Sequence, residues 1–179
     1  MADELSKIHD MLLEGTAELQ CAAAMVLGGL KARDAKTRKA LVKALQSGNN
    51  LVRTYALDAL TKVAPEEALP HVVPLLGEPG NLRTRAVQML LQGGGGVPSL
   101  LRSQMKTADP LVRKGIVAVL AQLQGKESPE SLLKNLLDTD AEVARQASIS
   151  FGRLIGTMAT NQKKKLATKA LSLLKAGKK

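Results

Sequence analysis

Asp109-Pro110-Leu111-Val112-Arg113-Lys114-Gly115-Ile116-Val117-Ala118-Val119-Leu120 sets a pattern that recurs along the whole chain. With Val112 as anchor, apolar residues follow at four, seven, eight and eleven positions, namely Ile116, Val119, Leu120 and Leu123. On a helix of about 3.6 residues per turn these share one face. The same template fits Leu19, Ala23, Val26, Leu27 and Leu30, and again Val52, Ala56, Ala59, Leu60 and Val63. Leu82, Ala86, Met89 and Leu90 follow it with a miss at Gly93, and Val143, Ala147, Ser150, Phe151 and Leu154 complete the set. The anchors lie 33, 30, 30 and 31 residues apart. Self-similarity at this period marks a solenoid, in which each unit buries its apolar face against its neighbours.

Three residues before the anchors stand Thr16, Asn49, Pro79, Asp109 and Asp140. Four of these carry a side-chain oxygen able to cap a helix N-terminus. A shorter apolar pattern precedes each anchor: Ile8, Met11 and Leu12, then Leu41, Val42 and Leu45, then Val72, Val73 and Leu76. Leu100, Leu101 and Met105, and finally Leu132, Leu133, Leu136 and Leu137, repeat it. Each unit therefore reads as two helices and a tight turn, with Gly15, Gly48 and Gly80 marking three of the turns. Five pairs are expected, at about 3–31, 35–64, 65–93, 97–124 and 129–157, in one repeat domain over 1–179.

Asp109-Pro110-Leu111-Val112-Arg113 with Ile116 and Leu120, and Asn49-Asn50-Leu51-Val52-Arg53 with Ala56 and Leu60, resemble the second helix of HEAT repeats. More narrowly, they are similar to short bacterial HEAT-like units of the phycobilisome-lyase type, over about residues 3 to 157. The resemblance implies an all-α, right-handed α-solenoid, and no single activity. It also implies that Arg53, Arg83 and Arg113 form a structural ladder between units, while Gln20 and Ala144 depart from the Arg position.

Composition fits such a fold. Tyr55 and Phe151 are the only aromatic residues, which argues against a platform for stacking bases. No run of about 18 apolar residues is present to span a membrane. The acidic opening Met1-Ala2-Asp3-Glu4-Leu5 lacks a signal-peptide apolar region, so a cytoplasmic protein is the default expectation. A single cysteine, Cys21, excludes an internal disulfide and a cysteine metal cluster.

On each second helix the strip at anchor plus two, three, six and ten is least used for packing. It is polar in the later units: Thr54, Tyr55, Asp58 and Lys62, then Thr84, Arg85, Gln88 and Gln92, then Lys114 and Gln122, then Arg145, Gln146 and Arg153. A protein or peptide held on the concave wall would meet Tyr55, Asp58, Lys62, Arg85, Gln88, Gln92, Gln122, Arg145 and Arg153. In the first unit the strip is Cys21, Ala22, Met25 and Gly29, either an apolar docking patch or an Ala-rich helix under a cap or in a self-contact. Gly28-Gly29 allow a frayed terminus or a close backbone approach.

Lys31, Arg33, Lys36, Arg38 and Lys39, against a lone Asp34, cluster on the loop and first helix of the second unit on its outer wall; a solvated helix face explains them, with nucleic-acid contact as the alternative. Pro70 and Pro74 should shorten or kink the first helix of the third unit. Gly93-Gly94-Gly95-Gly96 lacks the strand and Lys-Ser/Thr of a phosphate-binding loop and reads as a flexible joint.

Charge is concentrated at one end. Up to Glu142 there are 17 Lys and Arg against 16 Asp and Glu, a net +1; the other nine Lys and Arg follow with no acid, +9 of the formal +10. A helix over 161–175 carries Lys163, Lys164, Lys165, Lys169 and Lys175, with Lys178 and Lys179 beyond it. It can cap the array, attract nucleic acid or another acidic partner, or lie on an anionic membrane, though the last would want bulky aromatic anchors. The chain stops where a further second helix would begin, which fits a half-unit cap or a cut from a longer array.

No catalytic constellation is visible. His9 and His71 belong to different units with no nucleophile beside them. Iron-binding HEAT hydroxylases need repeated His-Glu pairs where this chain has His9-Asp10 and His71-Val72, and HEAT-like DNA glycosylases use aromatic residues around the lesion, whereas this chain has no Trp. The expectation is a scaffold without cofactor or metal that binds a protein or peptide. Nucleic-acid binding through the basic C-terminal region, and a role as accessory subunit of a lyase or other enzyme complex, remain as alternatives.

Overall fold

The structure is a computed structural model that describes residues 2–106, 108–123 and 129–176. The described residues form helices and one 3₁₀ segment, with no strand among them. Two compact units, Met1–Gly94 and Gly95–Lys179, part inside the four-glycine run. There Gly94 has φ of +79°, a left-handed conformation that glycine takes without strain.

In the first unit, α1 (Ala2–Glu14) pairs with α2 (Ala17–Leu30), and α3 (Ala35–Ala44) pairs with α4 (Asn50–Val63). The third pair is α5 (Pro65–Val72), continued by a 3₁₀ segment (Val73–Gly77), against α6 (Gly80–Gln92). Second helices stack on second helices, α2 on α4 and α4 on α6, while α1 lies on α3. The second unit holds α7 (Val97–Gln104) with α8 (Pro110–Gln122) and α9 (Pro129–Asn135) with α10 (Ala141–Thr157). The terminal helix α11 (Thr160–Ala176) packs on α9, and α8 lies against α10. Among the described residues these are five helix pairs and a terminal helix, the arrangement of an α-solenoid.

The anchors decide the core. Val52, Ala56, Ala59, Leu60 and Val63 are buried, as are Leu82, Ala86, Met89 and Leu90 and all five template positions from Val112 to Leu123. Val143, Ala147 and Ser150 are buried on α10, with Phe151 and Leu154 half-buried. The first template fails: Ala23 and Leu27 are buried, whereas Leu19, Val26 and Leu30 are exposed. Helix α2 is turned so that Cys21, Ala23, Ala24, Leu27 and Gly28 form its packed side.

Asn49, Asp109 and Asp140 cap α4, α8 and α10 by accepting from backbone N–H groups of the first turn. Thr16 makes no such bond. Ser128, which ahead of Pro129 and Glu130 reads in the sequence as a cap followed by proline at the first helical position, lies outside the described residues. The prolines act as expected. Pro74 has no N–H to offer the carbonyl of Pro70, so α5 gives way to the tighter 3₁₀ turn after eight residues.

The arginine ladder is built at equivalent positions in both units. Arg53 on α4 donates to Glu78 Oε1 at 2.6 Å and to the Leu45 carbonyl, tying its own turn to the turn before α6. Arg113 on α8 donates to both oxygens of Asp138, at 2.9 and 2.8 Å, and to the Ala108 carbonyl, tying α8 to the turn before α10. Arg83 reaches only the Gly77 carbonyl among the described bonds.

Candidate functional site

The expected binding strip resolves into two grooves, one in each unit, each between consecutive second helices. In the first unit a groove of about 340 Å³ runs between α4 and α6. Its lining includes Asp58 and Lys62 from α4 and Arg85, Gln88 and Gln92 from α6, over a floor containing Leu57 and Met89. Asp58 and Arg85 form an ion pair across it. Thr61 donates its hydroxyl to the Leu57 carbonyl and touches the Met89 sulfur at 3.5 Å.

In the second unit a groove of about 390 Å³ lies between α8 and α10, lined by Ala118, Ala121, Gln122, Gln146, Ser150, Arg153, Leu154 and Thr157. The register is the same: anchor plus six, nine and ten on one helix, plus three, seven and ten on the next. The chemistry differs. Ala118 replaces Asp58, and Gln146 replaces Arg85, donating its amide to the buried Ser150 hydroxyl. The first groove is crossed by an ion pair, whereas the second is neutral apart from Arg153.

Two of the nine residues expected to meet a partner stand outside these grooves. Tyr55 occupies on α4 the position that Arg85 has on α6 and is half-buried. Arg145 is held by Glu142, which also accepts from Lys114 at 2.9 Å. Hydrogen bonds from Arg145 and Lys114 hold the Glu142 carboxyl down at about 2. This cluster sits at the first turn of α10.

The apolar patch expected on α2 is redrawn. Ala22, Met25 and Gly29 are exposed, but Cys21 is 7% exposed and belongs to the core, where burial pushes its thiol pKa up. Leu19, Val26 and Leu30 take its place on the open face.

On α11, Leu166 is buried, and Ala170 and Leu173 close a small apolar hollow against Leu133, Leu136 and Leu137. Lys163, Lys164, Lys165, Lys169 and Lys175 are exposed; Lys178 and Lys179 lie outside the described residues.

The histidines have distinct settings. His71 is exposed on the rim of an outer groove that Arg38 and Glu67 bridge with an ion pair of 2.9 Å. His9 is buried and its Nε2 lies 2.8 Å from Thr37 Oγ1. Thr37 donates that hydroxyl to Asp34 Oδ2 at 2.6 Å, so it accepts from His9, which fixes the Nε2–H tautomer. Both Thr37 bonds to Asp34 lower the carboxyl pKa. The series resembles a relay, yet Thr37 is wholly buried and cannot meet a substrate. It pins α1 to α3. Sequence spacing gave no sign of it, because the two residues are 28 apart. Among the described residues no three His, Cys, Asp or Glu side chains are grouped to hold a metal ion. No helix there is long and apolar enough to cross a membrane.

A family model described as HEAT repeats matches residues 5–92. No curated protein matches the chain. Among solved structures, the chain is similar to the crystal structure of an engineered protein, with 20% identity, a TM-score of 0.47 and 97% of each chain covered.

Proposed function

The chain belongs to the HEAT-repeat family through residues 5–92, and from that premise we propose that it is a non-enzymatic scaffold that binds an extended protein segment along its second helices. The observation that carries this reading is the groove between α4 and α6, which gathers Asp58, Lys62, Arg85, Gln88 and Gln92 around an apolar floor. Glutamine offers a donor and an acceptor at once, which suits a peptide backbone that presents both. Leu57 and Met89 beneath them give a side chain of the peptide an adaptable apolar seat. Asp58 and Arg85 satisfy each other in the free protein, and a partner's charges would exchange with that pair.

A random-peptide display selection on the intact chain tests this. Recovered peptides should bind the Gln88→Ala/Gln92→Ala variant at least tenfold more weakly. Equal binding by that variant would overturn the reading.

A second reading rests on α11, whose exposed face carries five lysines and whose sequence contains no acid. Such a face attracts polyanions in a salt-dependent manner. Binding of single- and double-stranded nucleic acid at about 50 and 200 mM salt checks it, since several phosphate contacts lose orders of magnitude in affinity over that range.

A further inference from the structure

Helix α2 is apolar on both sides. Its packed side faces α1 and α4, and its other side places Leu19 at 45%, Met25 at 57%, Val26 at 45% and Leu30 at 62% exposure. A surface helix normally turns a polar face to water, and a helix apolar all round is ordinarily covered. Contiguous apolar surface of this kind marks an association site.

We infer that this face of α2 pairs with the same face of α2 in a second copy of the chain, antiparallel about a two-fold axis. The choice of occupant rests on charge. The first turn of α2 carries exposed Glu18, and its far end leads into exposed Lys31 and Arg33. A two-fold axis across the helix sets each end against the opposite end of the copy, so acid meets base at both rims. No second molecule with one sign of charge would satisfy both ends of the face.

Steric fit points the same way. On a helical projection Ala22 and Gly29 lie along the midline of the open face, flanked by Met25 and Val26. No atom stands within 4 Å of where a Gly29 Cβ would be. With the axis between Met25 and Val26, Ala22 of one copy meets Gly29 of the other, and Glu18 meets Arg33. Small residues on the midline let the backbones approach, while the larger side chains interlock on either side.

Sedimentation equilibrium on the intact chain tests the pairing, with melting curves recorded for every variant. The wild type should show a concentration-dependent monomer–dimer equilibrium. Met25→Glu/Val26→Glu should be monomeric throughout with an unchanged melt at low concentration, because both side chains face solvent. Glu18→Arg should weaken dimerisation, and adding Lys31→Glu and Arg33→Glu in the same chain should restore it. A wild type that is monomeric at all concentrations, or a dimer that persists in Met25→Glu/Val26→Glu, would overturn the proposal. Failure of the compensating charge reversal would also overturn it.

Discussion

Gly28 lies so close to Ala59 that a Cβ added to it would stand 2.9 Å from the Ala59 Cα. The contact is backbone to backbone, and the stem of Lys62 passes over the same spot at 3.7 Å. It explains why α2 and α4 pack tightly and why the first unit turns Cys21 inward. Gly28→Ala should therefore force the helices apart and destabilise the unit, by about 1–3 kcal/mol as for other overpacked sites. Gly29 meets nothing, so Gly29→Ala should raise stability by up to about 1 kcal/mol through helix propensity. Urea unfolding of the two variants at one low protein concentration separates these opposite signs.

The glycine pair also shows how far the sequence can be read. Residues 28 and 29 invited a frayed terminus or a close approach, and the approach is what forms. Yet the left-handed residue that ends α2 is Lys31, with φ of 50°, and not either glycine. Periodicity located the apolar positions of α2, but a helix apolar all round has no polar face to fix its rotation. That is why Leu19, Val26 and Leu30 were expected inside and Cys21 outside. Where the opposite face is polar, as on α4 and α8, the same template identified the core correctly. The ladder from Arg53 and Arg113 was legible as a repeated residue, whereas its partners Glu78 and Asp138 lie in turns with no shared local signal.

Thr37 connects α1 to α3 through His9 and is held by Asp34. Thr37→Val keeps the shape and removes the hydroxyl, leaving a buried imidazole N–H without its acceptor. It should lower stability by about 1–3 kcal/mol, the penalty of an unsatisfied buried polar group. A comparable loss should not follow Ser103→Ala, where an exposed hydroxyl bonds only its own helix. Chemical unfolding of both variants checks the difference.

Arg113 and Asp138 are 16% and 11% exposed at their side chains, against 16% and 32% for Arg53 and Glu78. Asp138→Asn should then cost about 1.5–3 kcal/mol, as expected for hydrogen bonds to a charged group. Glu78→Gln should cost about 1 kcal/mol or less, since solvent screens the more exposed partner. The hydrogen bonds from Arg113 hold the Asp138 carboxyl below its ordinary value. A carboxyl depressed in the folded state stabilises fully above its unfolded value of about 4 and loses that contribution as pH falls through the folded value. Acid titration of stability should therefore be shallower in Asp138→Asn than in wild type below about pH 4.

The terminal helix has two separable faces. Ending the chain at Thr160 uncovers Leu133, Leu136 and Leu137 and should lower the melting temperature of the second unit. Replacing Lys163, Lys164, Lys165 and Lys169 with Gln removes four charges and leaves that packing in place. It should preserve the melt while weakening any salt-dependent binding of polyanions.

The most direct measurement is the affinity of a display-selected peptide for the intact chain, for Gln88→Ala/Gln92→Ala and for the four-lysine Gln variant, at about 50 and 200 mM salt. Binding along the second helices predicts at least a tenfold loss in the groove variant, little change in the lysine variant and a modest salt effect. Full affinity in the groove variant, with loss in the lysine variant and in high salt, would contradict it and move the binding surface to α11.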